Sequence, residues 1–238
     1  MSGPGTGWAI IVADGDGVPD GLPQALAEAA AAGEPRPLVI AADGGSRRAL
    51  ELDVTPDLVV GDGDSMRPDT LARLIALGVP VQVAPTDKDE SDTELCLHAA
   101  VARGVTAIRI VGALGGQRVE HSIANLLLLA HPMLDGMDVA IVAPPSVIRR
   151  VGREDGLGSI EIRGAPGDHV SLMACDTLVD GVTTQGLRFA LRDEPLLPGP
   201  ARGLSNVLIA PVAPVPTTRG RLLVIHTLPQ APSTETDR

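Results

Sequence analysis

The sequence predicts an α/β protein in which a doubly wound, mostly parallel sheet is followed by a smaller all-β sandwich domain. As far as Ala143, short apolar runs of strand type alternate with longer runs of helix type, which is the pattern of successive βαβ units. After Pro144 and Pro145 the helical spacing disappears, and glycine and proline recur every few residues. The predicted parts are an α/β domain over residues 1–145, a β domain over residues 146–228 and a disordered polar tail over residues 229–238.

Aliphatic residues dominate the runs that we predict as strands of the first domain. These strands are Trp8–Ala13, Leu38–Ala42, Leu58–Val60, Val81–Val83, Ala107–Val111 and Val139–Ala143. The stretches between them are rich in alanine and leucine, and each is long enough for two or more helical turns. The predicted helices are Pro23–Ala32, Ser46–Leu52, Pro68–Leu77, Asp92–Arg103 and Glu120–Ala130. The run Ser91-Asp92-Thr93-Glu94 has the form of a capping box, which predicts that the fourth helix begins there.

Short strand-type runs follow one another in the second domain, without helical periodicity between them. Examples of the predicted strands are Ser159–Arg163, His169–Ala174, Val207–Ala210 and Arg221–His226. This pattern indicates a small all-β domain.

The composition excludes several classes of function. Trp8 and Phe189 are the only aromatic residues, which leaves almost no platform for stacking single-stranded nucleic acid, and a net charge of −11 repels phosphate backbones. No apolar run approaches the roughly 20 residues that a membrane span requires. Cys96 and Cys175 lack a metal spacing, and the N-terminus lacks the layout of a signal peptide. We therefore expect a cytoplasmic protein with free thiols that binds neither nucleic acid nor membrane.

The segments that follow the first five predicted strands are acidic or rich in glycine. They are Asp14–Gly17, Asp43–Gly45, Gly61–Ser65, Pro85–Asp92 and Gly112–Arg118. In an open parallel sheet these segments meet at the carboxyl ends of the strands, where ligands bind. Clustered carboxylates repel one another unless a cation neutralises them, and oxygen ligands favour Mg²⁺ or Ca²⁺. The sequence therefore predicts a Mg²⁺ site shared with a phosphorylated ligand.

Other features of the same segments suit a phosphorylated ligand. Glycines allow backbone N–H groups to approach phosphate oxygens, and helix N-termini at Ser46 and Ser91 present favourable dipole ends. Arg118 and Lys88 supply the positive charge that phosphoryl transfer requires in its transition state.

Each of these residues also has a purely structural interpretation. Asp-Gly pairs such as Asp14-Gly15 are ordinary turn formers. Asp92 suits the first turn of a helix, and His121 suits a structural hydrogen bond at a helix start. Lys88 is flanked by Asp87 and Asp89 and balances their charge if all three are solvated.

The tripeptide Asp62-Gly63-Asp64 has two further interpretations. A calcium loop would need oxygen ligands where the chain has Met66 and Arg73, so this interpretation fails. A phosphatase of the haloacid dehalogenase type would use Asp62 as the nucleophile, and this alternative stays open. No GxxxxGK[ST] motif occurs, which disfavours a P-loop nucleotide-binding protein.

Taken in order, these segments resemble the thiamine pyrophosphokinase family. The matching stretches are Ala42–Gly45, Pro56–Ser65, Asp87–Asp92, Gly116–His121, Ala124-Asn125, Gly167–Leu172, Gly181–Leu187 and Leu204–Asn206. They extend over nearly the whole chain, and four acidic or glycine motifs in a fixed order are more specific than any single one.

The resemblance implies a homodimer in which the α/β domain binds ATP and Mg²⁺ and the β-sandwich domain contributes to a thiamine site. The implied reaction is attack of the thiamine hydroxyl on the β-phosphorus of ATP, which gives thiamine diphosphate and AMP. Two alternatives remain: diphosphokinase chemistry on another hydroxymethyl acceptor such as a pterin, and binding of a nucleotide or of thiamine diphosphate without turnover.

Carried over motif by motif, the resemblance also implies roles for individual residues. The implied catalytic residues are Asp64, Asp92 and Arg118, of which Asp92 orients or deprotonates the acceptor hydroxyl. The implied metal ligands are Asp62, Asp64, Asp89 and Asp92. The implied contacts to nucleotide or thiamine are Asp43, Gly44, Gly45, Ser65, Lys88, Ser91, Gly116, His121, Asn125, Ser205 and Asn206.

The β domain departs from the family pattern on the acceptor side. Val207 stands where the family usually has glutamate after Ser205-Asn206, and Phe189-Ala190-Leu191 replaces a typical aromatic-Pro-Leu run. Family members often hold the thiamine rings against an aromatic side chain. The nucleotide side of the pattern is therefore closer to the family than the acceptor side.

Overall fold

The computed structural model describes residues 7–34, 36–85, 87–152 and 158–229. The chain divides into two compact units, Met1–Pro144 and Pro145–Arg238. This division falls one residue before the predicted boundary, and the assignment of ATP and thiamine to separate domains stays a prediction. The predicted tail lies outside the described residues from residue 230 onward.

The first unit alternates strands and helices, as the sequence predicts. The strands are β1 Trp8–Val12, β2 Leu38–Ala42, β3 Leu58–Gly61, β4 Val81–Val83, β5 Ala107–Val111 and β6 Asp138–Ala143. The helices are α1 Val18–Ala31, α2 Gly45–Glu51, α3 Pro68–Ala76, α4 Asp92–Val101 and α5 Val119–Leu128, with a 3₁₀ turn at Pro132–Leu134.

All six strands of the first unit pair in parallel, in the order β6-β5-β1-β2-β3-β4. The chain adds strands to one side of β1 as far as β4 and then crosses to the other side for β5 and β6. The doubly wound fold class is thereby confirmed, and the switch in strand order lies between β1 and β5, where such sheets bind ligands. Ile10 and Ile11 point to opposite faces of β1, yet neither is exposed, which explains the unbroken apolar runs.

Helix α1 begins at Val18, earlier than the predicted start at Pro23. Pro19 lies in the first turn, where the N–H groups have no partner within the helix, so its missing N–H costs nothing. Pro23 lies inside the helix and removes one backbone hydrogen bond there. The predicted start of α4 is confirmed, because the Ser91 hydroxyl caps it by accepting the N–H of Glu94 at 3.2 Å.

The second unit is an antiparallel β region. Its strands are β7 Ser146–Val151, β8 Gly158–Arg163, β9 His169–Ala174, β10 Val179–Val182, β11 Glu194–Leu196, β12 Asn206–Val207, β13 Val212–Thr217 and β14 Leu222–Thr227. One sheet has the order β12-β9-β14-β7, and two further sheets pair β10 with β11 and β13 with β8. Val170, Leu172 and Leu208 are among the residues of their shared core.

The all-β character of this unit is confirmed, whereas some of its predicted strand bounds are wrong. The predicted strand Val207–Ala210 shrinks to β12, because Leu208 forms only an isolated bridge with Leu187. Among the described residues of both units, no helix is long and apolar enough to cross a membrane.

Candidate active site

A cleft of about 960 Å³ opens at the carboxyl ends of β1, β2, β3 and β5 and at the N-termini of α4 and α5. Most of the site residues predicted from the sequence line it. These are Asp43, Gly44, Asp62, Asp64, Ser65, Lys88, Asp89, Ser91, Asp92, Gly116, Arg118, His121 and Asn125. The parallel sheet thus brings together side chains that are far apart in the sequence, and all of them belong to the first unit.

Three carboxylates in this cleft lie close enough together to hold one cation. Asp43, Asp62 and Asp92 each offer an oxygen within 4.8 Å of the other two. Asp43 comes directly after β2, Asp62 directly after β3, and Asp92 begins α4. We call this set the acidic triad.

Asp43 is the most buried member of the acidic triad. Its side-chain Oδ2 accepts the backbone N–H of Ser65 at 2.9 Å, while its Oδ1 is buried and has no hydrogen-bond partner among the described residues. Burial raises the pKa of Asp43 against the effect of the Ser65 hydrogen bond, and the charges of Asp92, Asp64 and Asp62 raise it further. A buried acceptor without a partner is costly, so this oxygen is suited to a cation.

Asp62 is held as a carboxylate by two donors. The backbone N–H of Asp64 donates to its Oδ1 at 3.2 Å, and the Lys88 ammonium donates to its Oδ2 at 3.2 Å. The hydrogen bond from Asp64 contributes most to lowering the pKa of Asp62, and the hydrogen bond from Lys88 lowers it further. Ser65 in turn donates its hydroxyl to Asp64 at 2.9 Å, which orders the loop after β3.

Lys88 bridges two members of the acidic triad. Its Nζ lies 3.2 Å from Asp62 Oδ2 and 2.9 Å from Asp92 Oδ1, and its side chain is 11% exposed. Although burial alone would lower the pKa of Lys88, the hydrogen bonds to Asp92 and Asp62 raise it. The alternative in which Lys88 is a solvated neighbour of Asp87 and Asp89 is therefore wrong.

The donor set of the acidic triad fits Mg²⁺. All three ligands are carboxylate oxygens, which a hard divalent cation prefers. One of the three is buried and lacks a hydrogen bond among the described residues. Asp64 and Asp89 line the same cleft outside this group of three.

The structure adds a second polar cluster, whose central residue Arg48 the sequence did not single out. Arg48 donates from Nε to Asp14 at 2.9 Å and from its terminal nitrogen to Asp16 at 3.3 Å. Asp16 also accepts the N–H of Gly116 at 2.9 Å. The cluster ties the loop after β1 to α2 and to the loop before α5, and it places a guanidinium in the cleft wall.

The loop before α5 is anchored from within the helix. Asn125 donates from Nδ2 to the carbonyl of Ala113 at 2.8 Å, and Ser122 accepts the N–H of Gly115 at 3.1 Å. Arg118, the residue before the helix, forms an exposed ion pair with Glu120 at 2.8 Å. A guanidinium in such a pair exchanges its partner for a ligand phosphate at little cost.

Two of the predicted glycine contacts have a packing role. A β-carbon on Gly45 would lie 2.1 Å from the carbonyl oxygen of Val12, and one on Gly44 would lie 2.4 Å from Asp14 Oδ2. Gly45 is buried and does not line the cleft. These glycines therefore let α2 begin directly against β1.

Ser205 and Asn206 lie in the second unit. Ser205 is exposed with φ at 57°, and its N–H donates to the Ser171 hydroxyl at 3.1 Å. The Asn206 side chain accepts the N–H of Phe189 at 2.9 Å and donates to the carbonyl of Phe189 at 2.7 Å. Asn206 thus fixes the backbone at Phe189, and the role of both residues toward a ligand stays a prediction.

Comparison with known proteins places these residues in a family. A family model described as thiamin pyrophosphokinase, catalytic domain, matches residues 32–141, which include the acidic triad. Thiamine pyrophosphokinase 1 of Arabidopsis thaliana is 28% identical over 198 residues, which cover 72% of this chain and 71% of that protein. Thiamine pyrophosphokinase of Bacillus subtilis is 23% identical over 189 residues, which cover 79% of this chain and 86% of that protein.

This chain belongs to the thiamine pyrophosphokinase family. Solved structures share its fold. The crystal structure of thiamine pyrophosphokinase from Bacillus subtilis has a TM-score of 0.77 at 21% identity and covers 94% of this chain and 100% of its own. That of the yeast thiamin pyrophosphokinase has a TM-score of 0.71 at 14% identity and covers 95% of this chain and 88% of its own.

Membership of the thiamine pyrophosphokinase family bears on the alternatives left open by the sequence. The family uses Mg²⁺ and ATP, and membership implies a diphosphokinase. A carboxylate that helps to hold a metal suits this chemistry, whereas the phosphatase alternative requires Asp62 as a nucleophile. The family therefore favours a ligand role for Asp62.

Proposed function

We propose that this chain is an ATP- and Mg²⁺-dependent thiamine diphosphokinase that forms thiamine diphosphate and AMP. The observation that carries the proposal is the acidic triad, in which the buried Asp43 Oδ1 lacks a hydrogen-bond partner among the described residues. The surrounding cleft of about 960 Å³ is at the upper end of the ~300–1,000 Å³ that small-molecule sites occupy. Family membership supplies the reaction class.

The acidic triad holds Mg²⁺ in this proposal, with Asp64 and Asp89 completing the set of acids around it. When bound, Mg²⁺ offsets the charge of the triphosphate oxygens and polarises the phosphorus that is attacked. The negative charge of the cleft requires such a cation, because ATP would otherwise be repelled.

The phosphate chain of ATP lies between the N-termini of α4 and α5. Ser91 caps α4, and Ser91, Asp92 and Thr93 of its first turn line the cleft, so the positive end of the helix dipole lies at the cleft wall. Gly116 and His121 line the opposite side, and Arg118 leaves Glu120 to bind phosphate. These groups stabilise charge that grows in the transition state.

Asp92 orients the acceptor hydroxyl and takes its proton as the oxygen attacks the β-phosphorus. The Asp92 side chain is about a quarter exposed, with one oxygen bonded to Lys88 and the other free to face a substrate. Most of the rate enhancement then comes from positioning and from charge stabilisation, as expected for phosphoryl transfer.

The second unit supplies the acceptor site in this proposal, through Ser205 and Asn206. Phe189 is the aromatic residue of that unit; its side chain is 57% exposed, and its backbone is fixed on both sides by Asn206. An exposed aromatic ring on an ordered segment is suited to stack against a heteroaromatic acceptor.

A homodimer is also part of the proposal. Helix α5 exposes Val119, Ile123 and Leu127, which recur at every fourth position and therefore form one apolar stripe along the helix. Contiguous exposed apolar surface of this kind marks interaction sites. The stripe supports self-association, which the resemblance implied.

Val207 is the reason to test a second class of acceptor. Val207 lies directly after Asn206 in β12, at the position where the family pattern usually has glutamate, so the acceptor side of that pattern is altered here. Transfer to another hydroxymethyl heterocycle, such as a pterin, keeps the same chemistry at the acidic triad.

The test is release of AMP from ATP and Mg²⁺ with thiamine, with a hydroxymethylpterin, or with neither, and identification of the organic product by mass. We expect AMP only with thiamine, together with thiamine diphosphate. AMP with the pterin alone would establish the second acceptor class. ATP binding without AMP in any arm would overturn the enzymatic proposal.

A further inference from the structure

Lys88 and the candidate metal site use the same two carboxylates. The Lys88 ammonium donates to Asp62 at 3.2 Å and to Asp92 at 2.9 Å, and these residues form the acidic triad together with Asp43. A divalent cation bound by all three residues would stand close to the ammonium, and the two positive charges would repel, because the Lys88 side chain is only 11% exposed. The two cations therefore compete for one position.

The ammonium satisfies this position only in part. Lys88 contacts Asp62 and Asp92, whereas Asp43 Oδ1 remains without a hydrogen bond among the described residues. A cation placed among three oxygens that lie within 4.8 Å of one another contacts all three. The ammonium thus holds two of the three carboxylates and leaves a buried oxygen of the third without a partner among the described residues.

The residue type fits a substitute for a metal ion. The chain has 19 lysine and arginine residues, and Lys88 is its only lysine. An ammonium is a compact, strongly hydrated charge on a flexible stem, whereas guanidinium is a planar fork. Of the two cationic side chains, only lysine imitates a small hydrated cation and can withdraw along its own stem.

We propose that Lys88 holds the place of the divalent cation in the acidic triad and is displaced when the metal binds. The displaced ammonium stays within the cleft, where a phosphate oxygen of the nucleotide becomes its new partner. Metal binding thereby releases a positive charge for the substrate, which couples the two binding events. This inference rests on the proposed function, because it assumes a metal at the triad.

Calorimetric titration of MgCl₂ into the full chain without nucleotide tests the competition. In Lys88→Met the metal no longer has to break charge-assisted hydrogen bonds, so we expect Mg²⁺ to bind about tenfold more tightly than in the wild type. Arg118→Met is the matched control, because it removes one positive charge from the same cleft without touching the triad. Equal gains in the two variants, or no gain in Lys88→Met, would overturn the proposal.

The single lysine provides a direct second readout. Full chain labelled with ¹³C and ¹⁵N only in lysine gives one side-chain spin system, that of Lys88. We expect its Cε and Nζ signals to move and sharpen as MgCl₂ is added, because the ammonium leaves two carboxylates. Unchanged lysine signals at a MgCl₂ concentration that calorimetry shows to be saturating would overturn the proposal.

Asp43→Asn separates this inference from the proposed function. Asp43 does not contact Lys88 but belongs to the acidic triad, so the variant loses Mg²⁺ binding if the metal site is correctly placed. Wild-type Mg²⁺ affinity in Asp43→Asn would refute the metal site itself. Lost affinity in Asp43→Asn together with immobile lysine signals in the wild type would refute only the displacement of Lys88.

Discussion

A β-carbon on Gly61 would lie 2.7 Å from the β-carbon of Asp43, so the end of β3 packs directly against the side chain that follows β2. Carbon atoms do not approach this closely, and both residues are buried. Glycine at this position is therefore a condition for the buried placement of Asp43, and through it for the acidic triad.

The variant Gly61→Ala tests this dependence. We expect the alanine to push Asp43 away from Asp62, to weaken Mg²⁺ binding at least tenfold and to lower the free energy of unfolding by about 1–3 kcal/mol. Gly17→Ala is the control, because a β-carbon there meets nothing within 4 Å. Calorimetric Mg²⁺ titration and urea unfolding measure the two effects, and wild-type Mg²⁺ affinity in Gly61→Ala would contradict the argument.

Asp43→Asn should separate stability from ligand binding. Because the folded-state pKa of Asp43 is raised, its ionised form weakens the fold once the pH exceeds the ordinary carboxyl value, and neutral asparagine removes this cost. We expect the melting temperature without Mg²⁺ to rise by about 2–4 °C at neutral pH, with little change in acid.

The same variant should lose the stabilisation that Mg²⁺ gives to the wild type, since it lacks one carboxylate of the acidic triad. Melting curves with and without MgCl₂ at several pH values measure both effects. A lower melting temperature for Asp43→Asn at neutral pH without metal would contradict the assigned electrostatics.

The first unit could be predicted largely from the sequence, whereas for the second only the all-β character and some of the strands could be. Strands such as β1 are buried on both faces and read as unbroken apolar runs. In the second unit, β13 contains Pro214 and Pro216, and the sequence pattern did not single it out. Along the edge of β13 that faces away from β8, the N–H of Thr183 donates to the carbonyl of Pro216 at 3.2 Å and the N–H of Gln185 donates to that of Pro214 at 3.4 Å. The prolines are tolerated because this edge supplies acceptors and needs no N–H donors from them.

Some residues of the candidate site could likewise be predicted from the sequence, and others could not. Its carboxylates follow strand ends, so the parallel sheet alone predicts that they meet, as Asp43 and Asp62 do. Arg48 was missed because it lies within α2, beside a second arginine, and helical periodicity does not say which of the two reaches Asp14 and Asp16. The bridge from Lys88 to the triad likewise depends on the rotamer of a flexible side chain.

Asn206→Ala tests the link between the second unit and the acceptor. Loss of the two hydrogen bonds to the Phe189 backbone should lower the free energy of unfolding by about 1–3 kcal/mol and release the aromatic ring. We expect the KM for thiamine to rise severalfold, while the KM for ATP stays near the wild-type value. Thr184→Val is the control, because it removes a buried hydrogen bond of the same unit, to the Leu191 N–H. Equal changes in both variants would show that Asn206 acts through general stability alone.

Asp168 and His226 form a hydrogen-bonded pair that bears on the stability of the protein in acid. His226 Nε2 lies 2.8 Å from Asp168 Oδ2, and the Ala165 N–H donates to the same oxygen at 3.0 Å. Burial would raise the pKa of Asp168, yet the hydrogen bonds from His226 and Ala165, together with the nearby histidine charges, outweigh burial and lower the pKa. A lowered carboxyl pKa contributes stability above its unfolded value of about 3.9, and this contribution is lost as the pH falls through the folded value.

His226→Gln removes a hydrogen bond that lowers the pKa of Asp168, so the variant lacks the stability that ionised Asp168 gives the wild type above about pH 3.9. The unfolding free energies of the two proteins should therefore converge as the pH falls below that value. The measurement is urea unfolding between about pH 3 and pH 7, a window that begins below the ordinary carboxyl pKa of about 3.9. His98→Gln, which replaces an exposed histidine, is the control and should follow the wild-type curve. A curve for His226→Gln parallel to that of the wild type would show that the pair contributes nothing to acid stability, because a lost ion pair must change the slope and not only the height of the curve.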